Sequence, residues 1–204
     1  EKFHKFVEDN EQWLPNYSLF CYFRDKYKTK DFTKWTEYPN FISSRESKMI
    51  QAEHLEDLKF YYWVQYICFT QLMNAREYAE NHGIVLEGEI SLNTPYHSVS
   101  VWMNHGLFNT EMRAGNVPSS ENLSSKASNC PSLDLKANAA NGYEIWSNRI
   151  KQMSLFFHIL QINNSDSVFR TWEVDHKKCI RNILGHFHPS IPIIETPCVW
   201  CSNR

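Results

Sequence analysis

An α/β fold built around a parallel sheet is what this sequence predicts, and three observations predict it. A long helical pattern from about Glu46 to Asn81 stops at Gly83, a glycine placed where a helix takes a left-handed terminator. Directly behind it, Ile84, Val85 and Leu86 make a short apolar run closed by Gly88, which reads as a buried strand. A second helical pattern, Tyr143 to about Phe157, leads into the apolar stretch Phe156 to Ile162 and then the polar turn Asn163-Asn164-Ser165-Asp166. Helix followed by strand is the αβ half of a βαβ unit, and such units lay their strands parallel.

Taken in order, residues 3 to 30 place Phe3, Phe6, Val7, Trp13, Leu14, Tyr17, Phe20, Cys21 and Phe23 at spacings of three and four, which predicts two amphipathic helices broken near Pro15. Thr29 to Phe41 is a polar connector anchored by Trp35, Tyr38 and Pro39. The aromatic group Phe60, Tyr61, Tyr62, Trp63 and Tyr66 sits at helical spacing and reads as a core face rather than a binding stripe. Between Asn104 and Asn141 periodicity fades and Gly, Asn, Ser and Pro accumulate, which predicts a long irregular segment, functional or disordered. Val168 to Glu173 carries Phe169, Arg170 and Trp172, and beyond it Pro189, Pro192 and Pro197 argue against a helical ending.

Composition narrows the function classes. At 204 residues, 42% hydrophobic and 15% aromatic, the chain can build the core of one ordinary domain. Its net charge of -2, with no basic block, argues against a nucleic-acid partner. No apolar run approaches the roughly 20 residues that span a bilayer, and the opening EKFHKF lacks the apolar centre of a signal peptide. A soluble, cytoplasmic protein without a membrane partner is the expectation. Cys21 and Cys68 fall within aromatic helical patterns and read as small buried hydrophobes. Cys198 and Cys201 have the spacing of half a zinc site or a redox pair, without a second pair to complete it. Because residue 1 is not Met, the chain is expected to be a fragment.

Few residues carry chemistry by pattern alone. Glu89 and Asp166 each follow an expected strand, and two carboxyl groups flanking a sugar are the requirement of glycosyl chemistry. Their pairing rests on spacing, and surface acids are abundant. His97, His105, His158, His176, His186 and His188 show no metal-site spacing such as HExxH. His186-Phe187-His188 would turn two imidazoles to one side if extended, but the adjacent Pro189 favours a turn and a structural role. Walker, GxGxxG and GxSxG motifs are absent. None of these patterns supports a metal site or a phosphate- or dinucleotide-binding loop.

Longer stretches say more. FYYWVQYICFTQLMNAREYAENHGIVLEGE, SVSVW and LF ending at Trp102 and Phe108, GYEIWSNRIKQM, FRTWE, and FHPSIP at Phe187 to Pro192 together resemble the 4-α-glucanotransferases of glycoside hydrolase family 77, the amylomaltases. The likeness is greatest to the plant cytosolic, maltose-acting branch and runs from about Phe3 to Ile193. It implies a partial (β/α)₈ TIM-barrel fragment with family-specific helical and loop insertions over residues 1–193, and leaves 194–204 as an unmatched tail. It also implies an α-glucan or maltose as ligand and a retaining mechanism without cofactor. In that mechanism an Asp attacks the anomeric carbon, a Glu acts as acid and base, a second Asp steadies the transition state, and a sugar hydroxyl intercepts the glucosyl-enzyme.

Carried over residue by residue, the resemblance marks substitutions. The Gly-Asp-Leu-Pro-Ile of the family's first strand mouth is Gly88-Glu89-Ile90-Ser91-Leu92 here, so Glu89 keeps an acid in a substrate-binding position. Asp-Ser-Val-Asp-x-Trp becomes His97-Ser98-Val99-Ser100-Val101-Trp102, which keeps Trp102 on the substrate side but neither acid. Gly-Gln-x-Trp-Gly aligns with Ser125-Lys126-Ala127-Ser128-Asn129, where nothing is kept. The nucleophile motif Arg-Ile-Asp-His aligns with Gln161-Ile162-Asn163-Asn164, so Asn163 occupies the catalytic nucleophile position. An amide cannot form the covalent glycosyl ester that retention requires. The acid/base and stabilising acids are expected beyond Ile193, where the match stops, and the tail TPCVWCSNR has the look of readthrough in an altered frame. The expectation is a truncated, inactive glucanotransferase relative, with a glucan-binding or partner-binding remnant as the alternative and a decayed gene fragment as the blandest account.

Overall fold

The computed structural model describes residues 1–39, 41–118, 127–163, 165–175 and 185–191. Two compact units emerge, Glu1–Leu86 with His97–Asn104, and Glu87–Tyr96 with the residues from His105 onward.

Helices make the first unit. α1 (Lys2–Asp9) and α2 (Leu14–Lys26) are the two expected helices, and Pro15 sits in the first turn of α2, where its missing N–H costs no hydrogen bond. The expected single helix from Glu46 is instead two, α3 (Ser44–Glu53) and α4 (Leu55–Asn81). A capping box opens α3, with Ser43 Oγ accepting from the Glu46 N–H and the Glu46 carboxylate accepting from the Ser43 N–H. The break falls at His54, whose backbone leaves the helical region at φ −107°, ψ 20°. α4 ends as predicted at Gly83, which adopts φ +67°. The Gly83 N–H donates to Glu80 O and the Ile84 N–H to Ala79 O, the paired bonds of a Schellman terminus. α5 (Val99–Met103) completes this unit, capped by the Ser98 hydroxyl.

Its core is aromatic. Phe20, Phe23, Trp35 and Trp102 are all buried and meet edge to face or tilted, with ring centroids 5.4 to 6.2 Å apart. Trp35 thus anchors the connector as expected, and its Nε1–H donates to Thr29 O. The aromatic group on α4 departs from expectation: Tyr62 is buried, but Phe60 is 65% and Trp63 50% exposed. Periodicity told which rings share a face, and the packing covers only part of it. Cys21 is buried as expected, whereas Cys68 is exposed.

The second unit holds two sheets. β1 (Glu87–Ser91) pairs in parallel with β4 (Ile159–Asn163), in the register Gly88↔Leu160, Glu89↔Gln161, Ile90↔Ile162 and Ser91↔Asn163. The parallel pairing is the one expected, but the first strand is displaced. Ile84 and Val85 lie outside it and are exposed, and Gly88 stands inside the strand instead of closing it. Phe157 explains the glycine, because its ring atoms lie 2.5 Å from where a Gly88 Cβ would stand. α7 (Glu144–Ser154) leads into β4 from Tyr143, whose φ of 56° starts the helix from a left-handed residue.

The segment expected to be irregular is largely structured. β2 (Phe108–Gly115) and β3 (Ala127–Leu133) form an antiparallel pair with register shifts, and α6 (Leu135–Ala140) follows, capped by Asp134. β5 (Thr171–Asp175) and β6 (His186–His188) extend β2 and β3 into a four-stranded sheet of order β3-β2-β5-β6. His186 to His188 is therefore extended strand and not the expected turn, with Pro189 immediately after it.

Candidate functional site

In a parallel pair, residues in register share a face. Glu89, Ser91, Gln161 and Asn163 accordingly occupy one face of the β1/β4 ribbon, and all but Asn163 are exposed there. The opposite face carries Gly88, which lies against Phe157, and buried Ile90. The Glu89 face begins with Glu87 beside exposed Ile159, and towards the C-terminal ends of the strands, where parallel α/β folds place their ligands, it presents the Glu89 carboxylate, one hydroxyl and two side-chain amides.

Asn163 lies beside Ser91, last in each strand. Its Oδ1 accepts from Gln161 Nε2 at 3.1 Å, so an amide donor two residues upstream on the same face occupies the side chain's acceptor. The Ser91 hydroxyl accepts the Asn93 N–H at 3.3 Å and turns the chain out of the strand.

Arg149 organises the rim and was not singled out from the sequence. Projecting from α7, its guanidinium donates to Ser91 O at 3.2 Å and to Thr94 Oγ1 at 3.4 Å, and lies 4.6 Å from the centroid of the Trp146 ring. Burial pushes its proton affinity below the ordinary value, and the Trp146 face is a fitting platform for a weakly hydrated cation. The signal was available in GYEIWSNRIKQM, where Trp146 and Arg149 stand three apart on one helix face. Further out, Tyr96 stacks under Arg113 at 4.2 Å, and its N–H donates to Asn129 O.

The other expected residues go elsewhere. Trp102 is 0% exposed in the aromatic core of the first unit. In that unit His97 pairs with Asp31, Nδ1 to Oδ1 3.3 Å, and packs edge-on against Phe32. Asp166 falls within the 3-10 turn Ser165–Val168. Asn164, Ser125 and Lys126 of the aligned motifs, together with His176, Cys179, Cys198, Cys201 and the tail 194–204, lie outside the described residues. Among the described residues no helix is long and apolar enough to cross a membrane.

A family model described as 4-alpha-glucanotransferase, glycoside hydrolase family 77, matches residues 1–188. The chain is 28% identical over 196 residues to the 4-alpha-glucanotransferase DPE2 of Oryza sativa subsp. japonica, covering 95% of this chain and 20% of that protein. It is 27% identical over 193 residues to a 4-alpha-glucanotransferase of Chlamydia muridarum, covering 93% and 35%. In fold it is similar to the amylomaltase from Streptococcus agalactiae in complex with acarbose, with TM-score 0.79 at 18% identity over 91% of this chain and 38% of that one. The amylomaltase from Corynebacterium glutamicum superposes with TM-score 0.67 at 17% identity, over 86% and 23%. The chain therefore spans between one fifth and two fifths of the relatives it matches.

Proposed function

The chain belongs to the 4-alpha-glucanotransferase family, and from that premise we propose that it is a glucan-handling segment of that family's barrel which does not itself form the glucosyl-enzyme. Asn163 carries this reading. It stands at the C-terminal end of a parallel strand, beside Ser91, in the position that the resemblance gives to the nucleophile. Retention needs an anionic oxygen that attacks the anomeric carbon and later leaves as a carboxylate. A carboxamide carries no such charge, and the Asn163 oxygen is already hydrogen-bonded to Gln161.

What remains suits binding. Glu89, Ser91 and Gln161 supply acceptors and donors for sugar hydroxyls on an open face, with Arg149 holding the loop beyond Ser91. Trp102, which the resemblance put on the substrate side, offers no sugar a stacking surface, since its ring is buried in the aromatic core of the first unit. The (β/α)₈ reading is supported by the parallel β1/β4 pair with α7 leading into β4, and by the likeness to the amylomaltase folds. We place the chain in cytoplasmic maltose and starch metabolism, as an inactive relative whose ligand is an α-glucan or maltose.

The test is to incubate purified chain with maltose and glycogen and to follow both glucose release and retardation on a glucan affinity gel. Retardation without glucose supports a binding remnant. Neither signal leaves the chain without the proposed ligand, and glucose release overturns the role given to Asn163.

A further inference from the structure

The glucan reading leaves His186-Phe187-His188 unused. In β6 these residues are extended, and the cross-strand partners are Thr171↔His188, Trp172↔Phe187 and Glu173↔His186. Trp172 and Phe187 pack edge to face at 4.9 Å on one side of the ribbon. Both imidazoles therefore share the other side with Thr171 and Glu173.

That side is chemically incomplete. Glu173 is 2% exposed, yet its Oε1 has no hydrogen-bond partner, and its Oε2 lies 3.5 Å from His186 Nε2. Thr171, 4% exposed, also has a hydroxyl without a partner. A buried carboxylate with one oxygen unsatisfied is costly, and a cation that neutralises the group offsets part of that cost. His186 and His188 are exposed on an edge strand, so an ion can reach them from solvent.

We propose that Glu173, His186 and His188 form a site for a divalent transition-metal ion, with zinc the best match to two imidazole nitrogens and one carboxylate oxygen. Magnesium and calcium prefer sites made wholly of oxygen. The 3.5 Å between Glu173 Oε2 and His186 Nε2 is close to the separation of neighbouring ligands on one zinc with bonds of about 2.0 to 2.2 Å. Among the described residues no three donors are yet gathered around one point; His188 completes the set by turning its exposed ring towards Glu173. Thr171, whose buried hydroxyl has no partner, is the cross-strand neighbour of His188, where metal-bound imidazoles take an outer partner. Such an ion would clip the three-residue strand β6 to β5, a structural role that involves no reaction.

The full chain, stripped with chelator, is titrated with zinc by calorimetry and with cobalt(II) by visible absorption. One equivalent of zinc binds, the cobalt spectrum lacks a thiolate charge-transfer band, and zinc raises the melting temperature. His186→Ala and His188→Ala, at exposed positions that leave the fold intact, each weaken binding about tenfold or more, and the double variant loses the thermal shift. Glu173→Gln weakens it likewise, while Cys198→Ser with Cys201→Ser changes nothing. Absence of zinc binding, unchanged affinity in the double histidine variant, or a thiolate band removed by the cysteine variant overturns the site.

Discussion

Single side chains divide the molecule into what is kept and what is lost. Trp102 is kept as packing: with 0% exposure among Phe20, Phe23 and Trp35, its removal leaves a large cavity. Trp102→Ala should lower unfolding stability by about 3 to 5 kcal/mol in urea or guanidinium titrations. Asp31 is kept as an ion-pair centre. Burial would raise its carboxyl, but the Thr33 hydroxyl, the Lys34 ammonium and the His97 imidazole together outweigh it and hold it below its ordinary value. A carboxyl depressed in the folded state stabilises above its unfolded value of about 4 and loses that contribution as pH falls through the lowered one. Asp31→Asn should therefore flatten the acid side of the stability profile, measured as denaturation midpoints between about pH 5 and 2. In the proposed function what is lost is charge at Asn163, the position that the resemblance gives to the nucleophile. Arg149 went unnoticed because an arginine in a helical pattern looks like a solvated face until its partners, Ser91 O, Thr94 Oγ1 and the Trp146 ring, are known.

Elements were legible where local chemistry decides them. Gly83 ends α4 through a left-handed residue and two paired hydrogen bonds, and all of that is encoded within the six residues Ala79 to Ile84. Gly83→Ala should cost about 1 kcal/mol for the positive φ alone, read as a lower midpoint in thermal unfolding. Gly88 is legible only in hindsight, since Phe157, 69 positions away in the chain, fills the space of its side chain. Gly88→Val should disrupt the approach of β1 to Phe157 and cost about 1 to 3 kcal/mol, with Gly88→Ala milder in the same assay. β2 and β3 were missed because FNTEMRAG and ASNCPSL lack the alternation of a half-buried strand. Pro131 and the register shifts further mask the pairing, which antiparallel partners supply. The break at His54 has neither glycine nor proline to announce it. Long-range packing, absent from any local window, made these decisions.

At the scale of the molecule, two units differ in how well they bury what the sequence offers. The aromatic core of the first is closed around Trp102 and Phe23, whereas in the second Ile159 and Ile162 of the parallel pair remain exposed. A two-stranded sheet with apolar residues in the open is a surface that seeks cover. The isolated chain should bind an apolar dye and self-associate with rising concentration in sedimentation runs; a dye-free monomer at high concentration would contradict this. Family membership and fold agree, and the central claim of the proposed function is that the scaffold persists with Asn163 in place of the nucleophile. The most direct measurement is disproportionation itself, with purified chain, maltose and glycogen, and glucose followed over time. We predict no glucose above the protein-free control and no glucosyl adduct on the chain by mass spectrometry. Steady glucose release accompanied by a covalent adduct would contradict the assignment of Asn163.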